Sequence, residues 1–288
     1  MSLVDLLVEP FAFTFMTRAL VTIVVVSVVC AVLSCWLVLV GWSLMGDAVS
    51  HAVLPGVVLA YLVGAPFAVG AAAFGFLAVG LIGAVRDTGR VKEDAAIGIV
   101  FTTLFALGLV LVSVVPSQTD LNHVVFGNLL GVSADELTQI LVLAAVVLVA
   151  LVLKRRDLTL YAFDPTHAAA IGLRPRRLGA LLLALLALTA VVALQAVGVV
   201  LVVALLIIPG ATASLLTERF SRMLLIAPVV SVVCGVVGLY ASYYLDTASG
   251  ASVVLTQGIV FALVLLVRRR RPALPGRTRS PLPVGTGA

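Results

Sequence analysis

The sequence predicts an all-α fold, a polytopic helical bundle in a membrane, and three observations lead to it. Of the 288 residues, 62% are hydrophobic and 11% are charged, whereas soluble domains have roughly 45–50% apolar and about 25% charged residues. Apolar stretches of about 20 residues, the length that crosses a bilayer as a helix, recur along the chain. Lysine and arginine are concentrated in every second connection between those stretches.

The apolar stretches predict eight or nine transmembrane helices. Eight is the number if the first or the fifth stretch does not cross the membrane. The nine candidate spans are residues 19–40, 42–63, 66–85, 94–115, 137–153, 178–194, 198–216, 223–245 and 251–267.

The charge of the connections predicts the orientation. The connection 154–177 alone has six Lys and Arg residues, and basic residues also occupy 86–94, 217–222 and the C-terminal end. The alternate connections have none; they are 64–66, 116–136, 195–197 and 246–250. Because basic loops stay in the cytoplasm, we expect a cytoplasmic C-terminus and, with nine spans, an external N-terminus.

Three segments make up the predicted domain organisation. Residues 1–18 are an interfacial lead-in without the basic start of a signal peptide, 19–267 form the transmembrane domain, and 268–288 are a basic, proline-rich, disordered tail.

The formal net charge of +5 follows from the basic connections, so nucleic acid is not an expected partner. Cys30, Cys35 and Cys234 lie in apolar stretches without CxxC spacing and are interpreted as packing residues.

The stretch LMGDAVSHAVLPGVVLAYLVG, residues 44–64, places polar groups in a predicted span. Asp47 and His51 are four residues apart, so both lie on one helix face. A charge at the bilayer centre costs about 2.5–3.5 kcal/mol, and carboxylate plus imidazole suits Mn²⁺ or Zn²⁺. Two interpretations remain open: both residues are metal ligands, or they bond each other and stabilise the bundle. Pro55 can interrupt the helix beyond them.

Residues 164–172, DPTHAAAIG, predict a short helix in the most basic connection. Asp164 is a favourable N-cap, Pro165 a favourable first residue, and Gly172 a favourable residue after the end. The helix either covers the bundle or docks a cytoplasmic partner. In the connection that is predicted to lie outside, Asp120 and His123 are candidates for contact with an external partner or for metal entry.

The chain has no motif for ATP hydrolysis or another enzymatic activity. Its two lysines, Lys92 and Lys154, do not follow glycine, so there is no GxxxxGK[ST] loop, and HExxH and GxSxG are also absent. If transport depends on ATP, the ATPase is a separate polypeptide. The rival interpretation is a gradient-driven metal transporter or channel without an ATPase; a membrane enzyme is a distant third.

Several segments resemble the permease subunits of manganese/zinc/iron ABC importers, the ABC-3 family. GWSLMGDAVSHAVLPGVVLAYLVG is similar to the signature of the family's second span. FGNLLGVSADEL, FDPTHAAAIGL and VGVVLVVALLIIPGATASLL match further family segments in the same order, so the resemblance covers about residues 10–267. Gly210 stands where the family more often has alanine, and the tail beyond Arg271 has no counterpart.

The resemblance implies a type II ABC importer permease in the bacterial inner membrane. Two permease copies would form the pathway, two cytoplasmic ATP-binding subunits would drive it, and an extracytoplasmic lipoprotein would deliver the metal. Asp47 and His51 would bind the transported ion, with Mn²⁺ slightly favoured over Zn²⁺ and Fe²⁺, and no cofactor would stay bound. The coupling helix that inserts into the ATPase would contain Asp164, Pro165, His167, Ala168 and Gly172.

Overall fold

The computed structural model describes residues 13–89, 91–114 and 129–270. In these ranges the regular structure is α-helical, apart from a 3₁₀ turn at Leu129–Gly131. The helices are α1 Thr14–Val40, α2 Ser43–Ala52, α3 Leu54–Val63, α4 Phe67–Asp87, α5 Glu93–Val114, α6 Ala134–Leu153, α7 Arg155–Phe163, α8 Pro165–Ala170, α9 Pro175–Leu216, α10 Phe220–Leu245 and α11 Ser249–Arg270.

The predicted all-α membrane bundle is confirmed. Within the described ranges, eight helical segments are long and apolar enough to cross a membrane, and Leu201–Leu216 is a shorter apolar helix. The first and fifth predicted spans both lie in long helices, α1 and α6. The number eight arises in a different way from the one considered, since both of these stretches are long enough and the short helix falls in the seventh predicted span.

The second predicted span is divided into α2 and α3. Helix α2 ends at Ala52, and Val53 separates it from α3, which has Pro55 in its first turn. Proline has no N–H to continue the helical hydrogen bonds of the preceding turn, so a break is expected just before it. The interruption that Pro55 predicts is confirmed, and it lies directly after His51.

Helix α9 consists of two helices that meet at Gly198, where the chain reverses direction. Gly198 has φ 76° and ψ 167°, a backbone conformation that is open essentially only to glycine. A Cβ on Gly46 would lie 3.9 Å from Leu186 and 3.4 Å from Leu206. In a straight helix those two leucines would be ~30 Å apart. The halves of α9 therefore lie side by side and antiparallel.

The interior of the bundle consists of α1, the α2–α3 pair and the first half of α9, which are the most buried spans. Helices α4, α5, α6 and α11 are much less buried and surround them. The backbones of α3 and α4 cross in close contact at Gly56 and Gly70, where a Cβ on either residue would overlap the other's carbonyl group.

One end of the bundle collects the basic connections; we call it the basic end and define it by residues 154–163 and 217–222. Trp36, near the end of α1, joins these segments, since its Nε1–H donates to Thr159 Oγ1 at 3.3 Å and its ring packs 5.3 Å from that of Phe220. Residues 268–270 of the predicted tail continue α11, and α1 begins at Thr14, inside the predicted lead-in.

Candidate functional site

The structure brings Asp47 and His51 together on α2. Nε2 of His51 lies 3.2 Å from Oδ1 of Asp47, as the i,i+4 spacing predicts. The two side chains remain partly accessible, with 36% of the aspartate and 26% of the histidine exposed. This contact is compatible with both interpretations of the pair, so the surroundings have to distinguish them.

The imidazole of His51 is held between two aromatic rings of α5. Its centroid lies 5.3 Å from the Phe101 ring and 5.2 Å from the Phe105 ring. Nδ1 is buried and has no hydrogen-bond partner among the described residues. Buried polar atoms usually have a partner, so the ring is fixed in place while one of its two ligand atoms stays unused.

The pair lies at the partly exposed edge of α2, beside α5. Leu44 lies on the same stripe of α2, one turn before Asp47, and is 61% exposed. The opposite face, which includes Met45, Val49 and Ala52, is fully buried. Asp47 and His51 therefore occupy a surface that a second molecule can cover.

One chain supplies too few ligands for a stable metal site. In the described part of the chain, no group of three or more His, Cys, Asp and Glu residues is close enough to hold a metal ion. A carboxylate and an imidazole are two ligands, whereas transition metals in proteins take four or more. Any complete coordination shell would need water or a second copy of the pair.

The pair lies near the basic end, not at the middle of its span. Asp47 is four residues after Ser43, the first residue of α2, which places it ~6 Å along the helix axis. The adjoining residue Trp42 packs against Gly179 at the start of α9. At this depth, water reaches a charged group more readily than at the bilayer centre, so its cost is smaller.

The predicted short helix exists as α8. The carboxylate of Asp164 accepts a hydrogen bond of 2.9 Å from the His167 N–H, Pro165 is the first helical residue, and Gly172 has φ 89°. The pKa of the Asp164 carboxyl is lowered, chiefly by that backbone N–H. All three sequence signals for the ends of this helix are therefore confirmed, whereas docking of an ATPase remains a prediction.

Only part of α8 is available to a partner. His167 and Ala169 are exposed, but Ala168 is fully buried. Ala168 therefore belongs to the predicted helix, but its methyl group packs inward and a partner on the exposed face would not contact it. Helix α8 rests on α7, and α7 in turn packs on α1 and α9, so α7 connects the exposed face of α8 to the bundle.

Asp120 and His123 lie outside the described residues, so their assignment stays a prediction. The described part of that connection ends in a capping box, in which Ser133 Oγ accepts from the Glu136 N–H and the Glu136 carboxylate accepts from the Ser133 N–H. This cap starts α6 at Ala134, three residues before the predicted span.

Sequence reasoning missed two features of the site region. Phe101 and Phe105 flank His51, and their own i,i+4 spacing in one span was the available signal. Helix α7 is the second, since the polar sequence RRDLTLYAF in the basic connection predicts a loop but forms a helix. Leu158 on α7 is fully buried and anchors this helix to the bundle.

Comparison with known proteins agrees with this architecture. The family model described as "ABC 3 transport family" matches residues 12–268. The chain is 50% identical over 260 residues to the manganese transport system membrane protein MntB of Synechocystis, covering 90% of this chain and 85% of the relative. It is 48% identical over 267 residues to a probable iron transport system membrane protein of Haemophilus influenzae, covering 93% and 98%. The solved structure of PsaBC from Streptococcus pneumoniae in complex with Fab has a TM-score of 0.85 and 36% identity, covering 92% and 95%.

Proposed function

The chain belongs to the ABC 3 transport family, and from this membership we propose that it is the permease subunit of an ATP-driven importer of divalent metal ions. Its relatives are named for manganese and iron transport. The bacterial inner membrane would hold it, with the C-terminus in the cytoplasm. Two cytoplasmic ATP-binding subunits and an extracytoplasmic metal-binding lipoprotein would complete the system.

The observation that carries the proposal is the partly exposed Asp47–His51 pair, with Nε2 of the imidazole 3.2 Å from the carboxylate. The Asp47 carboxylate offsets part of the charge of a dication, and Nε2 of His51, the ring nitrogen beside that carboxylate, adds a ligand. A second permease copy, related by a two-fold axis, would add another carboxylate and another imidazole. Four ligands shared by two chains can hold an ion during transport and release it when the copies separate.

We propose Mn²⁺ as the preferred cargo, with Zn²⁺ and Fe²⁺ as competitors. Carboxylate and imidazole without thiolate suit Mn²⁺, whereas a site that is rich in Cys would favour softer metals. The buried thiols of Cys30, Cys35 and Cys234 are on α1 and α10, away from the pair on α2. The nitrogen and oxygen ligands support Mn²⁺ over Zn²⁺ only slightly, because Zn²⁺ binds the same atoms more tightly.

The supporting argument for a separate motor is the absence of a GxxxxGK[ST] loop from the sequence. Helix α8 would receive the movement of the ATPase, and α7 would pass it to α1 and α9. A gradient-driven transporter would have no use for an exposed, capped helix of this kind.

Uptake of radioactive Mn²⁺ by cells that carry the whole importer tests the ligand role. Asp47→Asn keeps the shape of the side chain but removes its charge, and His51→Ala removes the imidazole. We expect at least a tenfold loss of uptake in each, since removal of even a group that only supports a metal ligand typically costs about 10–100-fold. The melting temperature of the purified complex should stay nearly unchanged in Asp47→Asn, which is the variant that tests stability, because His51→Ala also loses the ring contacts with Phe101 and Phe105.

Asp246→Asn is the matched control. Asp246 is an exposed carboxylate after α10, with φ 49°, a conformation that asparagine also adopts readily. Its loss should leave uptake normal. Near-normal uptake in Asp47→Asn would contradict the proposal. A large fall in melting temperature together with uptake would instead support the purely structural interpretation of the pair.

A further inference from the structure

A groove at the basic end concentrates positive charge. It is formed by α7 and the start of α10, and four arginines line it, together with Thr159, Leu160, Phe163, Phe220 and Ser221. The four arginines are Arg155, Arg156, Arg219 and Arg222. No acidic residue lines the groove, so its walls carry a formal charge of +4 from these four side chains.

The four guanidinium groups have no carboxylate partner in the part of the chain that the structure describes. Arg155 donates to a neutral hydroxyl, Ser221 Oγ, at 3.1 Å. The nearby Asp157 pairs with Lys154 at 3.2 Å. Four like charges around one groove repel one another, and a bound anion would remove that repulsion.

The start of α10 adds backbone donors to the same groove. Its first three residues, Phe220, Ser221 and Arg222, all line the groove, and no side chain caps this helix end. The first N–H groups of a helix favour a negative charge; here the Arg222 N–H donates to the Arg219 carbonyl at 2.9 Å, so those of Phe220 and Ser221 are the donors that face a ligand. The arginines and the helix terminus therefore favour the same kind of ligand, a phosphate-sized anion.

Apolar surface beside the groove indicates what carries the anion. Val152 and Leu153 end α6 just before Arg155 and are 69% and 77% exposed. Leu225 is 71% exposed and follows Ser221 by four residues, so it continues the groove-lining face of α10 into the membrane span. A soluble anion has no apolar part to contact these side chains, whereas the acyl chains of a phospholipid can cover them.

We propose that this groove is a binding site for the headgroup of an anionic phospholipid such as phosphatidylglycerol. The phosphodiester lies among the four arginines at the start of α10, and the acyl chains lie along α6 and α10. Basic pockets at the end of membrane spans are suited to this ligand because charge and apolar contact act together. This assignment is independent of the transported metal and of Asp47 and His51.

Tryptophan fluorescence gives a local readout of this site. The chain has two tryptophans, and Trp36 contacts both Thr159 and Phe220 on the groove. The full chain is placed in phosphatidylcholine bilayers that contain a small fraction of brominated phosphatidylglycerol, which quenches nearby indoles. Brominated phosphatidylcholine at the same fraction gives the quenching by non-specific annular lipid.

We expect the anionic lipid to quench at lower mole fraction than the neutral one. In the double variant Arg156→Gln/Arg222→Gln, this selectivity should fall by roughly 25-fold, because each arginine at a membrane surface contributes about a factor of five. The double variant Arg176→Gln/Arg177→Gln is the matched control. It removes two exposed arginines at the start of α9, outside the groove, and should keep the selectivity.

Equal selectivity in all three proteins would overturn the proposal. So would full relief of quenching by millimolar inorganic phosphate, which would identify a site for a soluble anion. Relief by the purified ATP-binding subunits would show that the groove is a protein docking surface, which also contradicts the lipid assignment. The lipid assignment is supported if quenching persists with inorganic phosphate and with the ATP-binding subunits, and if selectivity is lost only in Arg156→Gln/Arg222→Gln.

Discussion

Partial exposure of Asp47 limits how much the Asp47–His51 contact can contribute to the stability of the bundle. An ion pair that water reaches contributes about 0–1 kcal/mol to stability, and 36% of this carboxylate is exposed. Such a contact does too little for the bundle to explain a carboxylate in a membrane span. The unused Nδ1 of His51 is a further cost to the isolated chain. A ligand role for the pair accounts for the partly exposed carboxylate beside Nε2.

The contact between Gly56 and Gly70 gives a residue-scale prediction about stability. In Gly56→Ala, the new Cβ would overlap the Gly70 carbonyl group and lie 2.9 Å from Phe74 Cδ2. Because these backbone atoms cannot move aside cheaply, we expect a loss of about 1–3 kcal/mol in the free energy of unfolding. Thermal unfolding of the purified protein in detergent measures it.

Gly80→Ala, on the same helix α4 as Gly70, is the control for that measurement. A Cβ on Gly80 would have nothing within 4 Å. Alanine forms helix better than glycine by about 1 kcal/mol, so this variant should melt at the same or a higher temperature. If Gly56→Ala melted as high as Gly80→Ala, the close crossing of α3 and α4 would be contradicted.

Individual residues of the site could be predicted from local spacing, but their exposure could not. The distance of four residues between Asp47 and His51 is enough to predict their contact, because it depends on helix geometry alone. Which stripe of α2 faces outward depends on packing against other helices. For that reason the sequence could not place Leu44 on the exposed stripe or Ala168 in the interior.

At the scale of the element, the exposed face of α8 gives a prediction about how the ATP-binding subunits drive metal uptake. Ala169 is exposed on α8, so Ala169→Arg adds a long charged side chain to its outer face without disturbing the interior. We expect insertion and melting temperature to be retained, while metal uptake falls severalfold and the ATP-binding subunits co-purify less. Uptake and co-purification from the same cells are the measurements.

Ala248→Arg provides a control on an exposed alanine beyond α10, at the opposite end from α8. It should leave both uptake and co-purification normal. Ala168→Arg is unsuitable for this purpose, since it would force a charge into a fully buried position and unfold the element. Normal uptake in Ala169→Arg would count against docking of the ATPase on α8.

Elements with strong end signals were predictable, and those stabilised by distant contacts were not. Asp164, Pro165 and Gly172 fix α8 by local hydrogen bonds and backbone preference, so the sequence was sufficient there. Helix α7 has a polar sequence without such signals at its start, and it depends on burial of Leu158 and on the contact between Thr159 and Trp36. Those contacts join segments far apart in the chain.

At the scale of the whole molecule, the basic end gathers three features on one face. The groove, the exposed face of α8 and the nearby Asp47–His51 pair all lie toward this end. The positive charges favour the cytoplasmic side, which is also where an ATPase would work. The charge pattern of the sequence predicted this grouping of the connections, whereas the reversal inside α9 brings the groove together by returning the chain to Arg219.

That reversal predicts the topology of the whole chain. If α9 crossed the membrane once as a straight helix, Arg176 and Glu218 would lie on opposite sides. Because the chain turns back at Gly198, both belong to the basic end, and Ala248 lies at the other end, beyond the 26 residues of α10. We expect Arg176→Cys and Glu218→Cys to react with an impermeant thiol reagent only after the cells are permeabilised. Ala248→Cys should react in intact cells.

The labelling needs a chain without its native thiols. Cys30, Cys35 and Cys234 are all buried, so each is replaced by alanine or serine and transport is checked first. All three positions chosen for labelling are exposed, which makes their reactivity depend on the side of the membrane and not on burial. Labelling of Glu218→Cys in intact cells, with Arg176→Cys still protected, would require a single crossing between them. That result would contradict the antiparallel arrangement of the two halves of α9. It would also contradict the position of Arg219 beside Arg155.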